Sequence, residues 1–288
     1  MVNQREEYER SQLSPSNNAE MSSRKRMPSY RIWGSADNGD IEFESLTAAT
    51  LEGALKVIRE SFFKYESVCI GVDLSSEPGA AEELEDLCRI AAKDGVSVVA
   101  VEVSTGEVVS VAFNKIQILQ RTRTKSSFET FMDNCKFESS QALVAFMHNV
   151  DSRLNLFEHH NVENILEIMF LATLPSHGQR RLGELVTAAS VEIGRQLKSG
   201  NDVKTPVEIN GDDSITNKNS VPELVSALCT SEYSHKIFEK LGFDSLLSAE
   251  FTEFECRGKK FSDRIGDLNK FCHLVTKRLS PTPPTPKG

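Results

Sequence analysis

Between Leu171 and Leu185 the chain reads LATLPSHGQRRLGEL. An apolar run over 168–174 breaks at Pro175 into a short basic turn, and an amphipathic run follows over 182–197. A strand that gives way to a helix start leaves several backbone N–H groups without intrahelical partners, all pointing one way. Together with the positive end of the helix dipole they make a seat for an anion such as a pyrophosphate. Arg180 and Arg181 add mobile positive charge at the same spot. The pattern is not a strict phosphate-loop motif, so it also fits an ordinary strand–turn–helix connection.

The elements that must position this segment follow from periodicity. Residues 41–46 alternate apolar and polar as a strand does. Residues 50–63 carry Leu51, Ala54, Leu55, Ile58 and Phe62 at helical spacing, and 77–93 form a second amphipathic helix opening near Pro78. Asp94–Gly95 turns the chain into a hairpin, 96–103 and 107–116, joined by Ser104–Thr105–Gly106. Residues 128–157 read as helical, 199–222 as a polar loop, 223–228 as a short helix, and 233–241 as a helix closed by Gly242. Final strands are expected at 248–256 and 271–278. This order fits a mixed sheet with helices on both faces rather than a regular βαβ repeat.

Composition bounds the function. A chain of 288 residues, 39% hydrophobic, buries a full-sized core. No apolar run approaches the roughly 20 residues of a membrane span, and the first residues lack a signal peptide's apolar stretch. Neither secretion nor a membrane is therefore expected. The six cysteines form no CxxC pair and the six histidines no HxxxH pattern. Reduced thiols in a cytoplasmic protein without a metal are the expectation. A net charge of −9 argues against a general nucleic-acid binder. Residues 1–29 are polar and read as disordered, with Arg24–Lys25–Arg26 either solvated or a localisation patch; the tail 280–288 is Pro-rich and extended or disordered. One domain is expected over 30–279.

Four further segments join the first. Residues 60–68 read ESFFKYESV, residues 229–243 read CTSEYSHKIFEKLGF, and 257–261 and 273–279 read RGKKF and HLVTKRL. In order and spacing, together with the 171–186 segment, they resemble the GCN5-related N-acetyltransferase superfamily, within it the insect arylalkylamine (dopamine-type) branch. The resemblance covers nearly all of 30–279. It implies an α/β (α+β) fold whose mostly antiparallel central sheet contains a splayed parallel strand pair. It also implies transfer of an acetyl group from acetyl-CoA to a small arylalkylamine-like substrate within a ternary complex. The pantetheine arm would lie along the open strand edge at Leu171, Ala172 and Thr173, and the pyrophosphate over Gly178, Gln179, Arg180, Arg181, Leu182 and Gly183. A central, fully paired core strand would suit the same apolar residues.

The phosphate loop departs from the family pattern Gln/Arg-x-x-Gly-x-Gly/Ala: Gly178 replaces the leading Gln/Arg, and Arg181 the first Gly. Glycine is favoured where the backbone approaches a ligand closely or takes a positive φ, so Arg181 weakens the expected binding. An Arg–phosphate bond, about 1.5–3 kcal/mol, offsets part of that. In the branch a glutamate of the early loop serves as base, and Glu66 stands there. Two hydroxyls four apart on the late helix belong to the transfer centre, and Thr230 and Ser234 stand there; Thr230 equally suits a helix N-cap. Phe238 occupies the position of the tyrosine that many members use, so thiolate protonation falls to Ser234. Tyr65 replaces an acidic residue common before the glutamate. His159, His160 and His177 lie near the expected cleft entrance, and Phe62 and Phe63 suit either an amine pocket or the core. The alternative is a catalytically impaired protein of the same fold that binds CoA weakly or serves as an interaction module.

Overall fold

The computed structural model describes residues 31–121 and 127–280. The expected disorder of 1–29 and of the tail 280–288 falls outside these residues, apart from Ser280, as does the Arg24–Lys25–Arg26 cluster. The elements run β1 (Ile32–Ala36), β2 (Ile41–Ser45), α1 (Ala48–Val57), α2 (Phe63–Tyr65), α3 (Ser67–Gly71), α4 (Ala80–Ala92), β3 (Val98–Glu102) and β4 (Val108–Ile118). There follow α5 (Ser127–Asn134), α6 (Glu138–Ser152), α7 (Leu156–His160), β5 (Asn164–Thr173), α8 (Leu182–Lys198) and β6 (Leu224–Cys229). Last come α9 (Glu232–Lys240), β7 (Asp244–Glu250), β8 (Glu255–Cys256), β9 (Lys259–Lys260), α10 (Phe261–Ile265) and β10 (Phe271–Arg278).

Eight strands form one sheet in the order β1-β2-β3-β4-β5-β6-β10-β7. Every adjacent pair is antiparallel except β5 and β6, which run parallel. The fold is thus mixed α/β with a mostly antiparallel sheet, as expected. β4 is buried at every position from Val108 to Ile116. Because successive side chains point to opposite faces, both faces of this strand are covered; α1, α4 and α8 pack against it. A buried bond from Asn114 Nδ2 to Ser190 Oγ, 2.8 Å, ties α8 to the sheet. The Asp94–Gly95 turn is fixed by the Asp94–Lys115 ion pair at 2.8 Å. Gly95 takes φ +69°, where a Cβ would stand 2.7 Å from the Thr205 carbonyl oxygen, so only glycine fits.

Several boundaries differ from the expectations. The 223–228 segment is not a helix but strand β6. A run of six residues, apolar but for Ser226, carries no period long enough to separate the two, and a strand flanked on both sides is apolar at nearly every position. The 128–157 stretch splits into α5, α6 and α7, the last capped where Asn155 Oδ1 accepts from Glu158 N. Glu77 does not join the second helix; its carboxylate accepts from the N–H and hydroxyl of Ser139. The 248–256 strand ends at Glu250 and gives way to a tight turn over Phe251–Glu253. No described helix is long and apolar enough to cross a membrane.

Candidate active site

The parallel pairing of β5 with β6 runs from Ile165–Leu224 to Ile168–Ala227 and stops there. At the same level β5 carries a bulge: Phe113 pairs with Phe170 and Asn114 with Ile168, leaving Met169 as the extra residue. A bulge bends its strand and sharpens the local twist, so from Met169 onward β5 stays with β4 while β6 leaves. Leu174 N donates to Val109 O. By antiparallel alternation the peptide groups of Phe170 and Ala172 face β4, and those of Leu171 and Thr173 face the gap. The Thr173 carbonyl accepts from Ser61 Oγ at 2.8 Å. Ser61 reaches it from a π-helical turn, Ile58–Phe62, that continues α1.

A cavity of ≈350 Å³ fills this gap. All the expected cofactor positions except Arg180 line it, and so do Glu66, Thr230 and Ser234. Its far end is the 178–183 loop. Gln179 and Arg181 there take φ +63° and +59°, so Arg181 holds the left-handed conformation that a glycine would take without strain. It is the N-cap residue of α8. The first amides of that helix, on Leu182, Gly183 and Glu184, precede its first internal bond, Leu185 N to Arg181 O. Neither arginine is loose. Arg180 Nε donates to Asp37 Oδ2 at 2.7 Å. Arg181 forks onto Glu184 at 2.5 and 3.0 Å. The Arg181 fork, joined by Lys240 at 2.8 Å, holds the Glu184 carboxyl down at about 2.

Glu66 lines the cavity as the N-cap of α3, and its two oxygens accept from Val68 N (2.9 Å) and Cys69 N (2.8 Å). Thr230 and Ser234 both reach the cavity, but not as a pair on one helix turn. The N-cap of α9 is Ser231, whose Oγ accepts from Ser234 N, so Thr230 precedes the helix. Ser234 Oγ donates to Ser231 O at 2.9 Å. Phe238 lines the cavity and packs edge-on against Phe243. Phe62 lines it too, whereas Phe63 is in the core. His177 borders the cavity; His159 and His160 do not, and His160 Nε2 meets Thr276 Oγ1 at 3.1 Å instead.

Glu167, which no sequence motif marks, also belongs to the site. This β5 residue stands half-buried in the cavity wall one position before the strands separate. Gln117 Nε2 donates to its Oε2 at 2.6 Å. Loss of hydration, then the nearby Asp151 charge, pushes it up to about 7. The signal was a lone acid inside the apolar run NILEIMFLAT.

No family model matches this chain. Among solved structures it is similar to arylalkylamine N-acetyltransferase 2 from Aedes aegypti, with TM-score 0.65 and 19% identity over 84% of this chain and 100% of that chain. It is similar to the putative arylalkylamine N-acetyltransferase 7 of the same mosquito, with TM-score 0.66 and 16% identity over 90% and 99%. A Drosophila melanogaster polyamine N-acetyltransferase matches with TM-score 0.61 and 14% identity over 83% and 100%. At such identities the shared property is the fold, and with its sheet opened between β5 and β6 the chain has the fold of the GCN5-related N-acetyltransferase superfamily.

Proposed function

We propose that the protein is an N-acyltransferase that moves an acetyl group from acetyl-CoA to a small amine, of the arylalkylamine type. The observation that carries this reading is the gap itself: an unpaired strand edge and a helix N-terminus open into one cavity. The Leu171 and Thr173 peptide groups suit the amides of pantetheine, and the Leu182–Glu184 amides suit the pyrophosphate. The hydrophobic wall formed by Phe62, Leu143, Met147 and Met169 suits an aromatic side chain on the amine.

The substrate amine arrives as an ammonium, and only the neutral form attacks the thioester carbonyl. Glu66, its oxygens fixed by two amides, accepts from the ammonium as it enters the cavity. Glu167 takes the proton, since a base works best when its pKa lies near the working pH. The amine nitrogen then bonds to the acyl carbon, the C–S bond breaks, and Ser234, with Thr230 beside the same cavity, delivers its hydroxyl proton to the thiolate while the nitrogen's second proton passes to the serine oxygen. A second reading gives the base role to Glu66, favoured by its place in the same cavity wall.

Two measurements test this. Saturating acetyl-CoA at about 100 times its Kd is expected to stabilise the full chain by about 2.7 kcal/mol, which raises Tm by roughly 5–10 °C; no rise at millimolar acetyl-CoA overturns this reading and leaves the catalytically impaired protein that binds CoA weakly or serves as an interaction module. With tyramine as acceptor, Glu167→Gln is expected to lower kcat/KM by about 10²-fold or more, and Glu66→Ala to act chiefly on the amine KM. The reverse pattern assigns the base to Glu66.

A further inference from the structure

Acyl transfer to an ammonium leaves a proton over. Of the three N–H protons of the ammonium the amide keeps one and the thiolate takes one, as the N–C bond forms and the C–S bond breaks. One proton per turnover must therefore reach water. On the reading above, which this inference rests on, that proton is first held by Glu167, while the amine and the acyl arm fill the cavity in front of it.

Glu167 also belongs to the wall of a second cavity, of ≈320 Å³, between the end of α6, α7 and strands β4, β5 and β6. Gln117, Asp151, Ser152, Asn155 and Ser226 share that wall. Asp151, Ser152 and Asn155 are exposed, so the second cavity reaches the surface, away from the cofactor loop. We propose that this cavity is the proton outlet of the site, with Asp151 at its mouth receiving the proton from Glu167 through water and passing it to solvent.

The surroundings of Glu167 leave few other acceptors. From β4, Lys115 is engaged with Asp94 at 2.8 Å and Gln117 already donates to Glu167. From β6 the register partner is Ser226. From α6 come Asp151 and, acting on Asp151, His148. Asp151 is thus the acidic neighbour on the surface side, and its charge makes Glu167 a stronger base. It acts through Glu167, as a positioning residue.

The experiment is a carboxyl ¹³C NMR titration of the full chain, with the Glu167 signal identified by its loss in Glu167→Gln, beside the pH profile of kcat/KM with tyramine and acetyl-CoA. Asp151→Asn is expected to move the Glu167 midpoint and the acid limb of the profile down together, by about one pH unit. Ser152→Trp, which fills the mouth, is expected to lower kcat severalfold with the amine KM unchanged. If Glu167→Gln abolishes turnover while both other variants leave midpoint, limb and kcat in place, the outlet is overturned and the base assignment stands. If Glu167→Gln keeps full turnover, the base assignment fails and the outlet with it.

Discussion

Arg181 holds a left-handed backbone that costs an L-residue roughly 1–2 kcal/mol, and its guanidinium at the cavity wall is engaged by Glu184. That ion pair is largely exposed on the arginine side, so solvent screens it and it returns little. Arg181→Gly is therefore expected to raise stability by about 1 kcal/mol and to tighten acetyl-CoA binding severalfold, read by urea unfolding and by calorimetric titration. A fall in affinity would show instead that the guanidinium leaves Glu184 to hold phosphate. The arginine pattern was legible in the sequence; its partners, Asp37 and Glu184, were not. Asp37 lies in the β1–β2 turn, and only the sheet brings that turn beside Arg180.

Among the elements, α3 shows how closely the Glu66 side of the cavity is packed. Its N-cap is Glu66, and its Gly71 faces α10: a Cβ at Gly71 would stand 2.9–3.0 Å from the Phe261 side chain. Gly71→Ala is expected to cost about 1–2 kcal/mol despite alanine's better helix propensity, because the fully buried Phe261 cannot retreat. Calorimetric unfolding measures it, and an unchanged Tm would mean that α10 yields. Turn and cap chemistry made the hairpin and the end of α9 legible, with Gly106 and Gly242 at positive φ as expected. β6 was misread because its neighbours β5 and β10 make it a strand, and Leu-Val-Ser-Ala-Leu-Cys carries no trace of them.

Across the whole molecule, ionisable groups pull stability in opposite directions with pH. Glu184 is depressed to about 2 and Glu77 is also lowered, chiefly by Ser139. A depressed carboxylate contributes stability above the ordinary value near 4.5, lost as pH falls towards its folded pKa. Glu167 is raised, so its contribution is full below the ordinary carboxylate pKa and is lost as pH rises through about 7. Urea unfolding is expected to show falling stability from pH 4.5 to 8, and Glu167→Gln to flatten that fall. A fall of equal size in the variant would place the titrating group elsewhere.

Local chemistry, written in the order of residues, determined the hairpin, the helix start that follows Arg181 and the capped late helix, whereas Glu66 and Ser234 were marked by the family resemblance alone. Those three elements depend on neighbours within a few residues: turn glycines, caps and apolar period. Tertiary structure alone decided where β5 and β6 part, that 224–229 is a strand, which acids hold the two arginines, and that Glu167 borders two cavities. Those depend on strand pairing and on dehydration between segments dozens of residues apart, which a one-dimensional pattern does not encode.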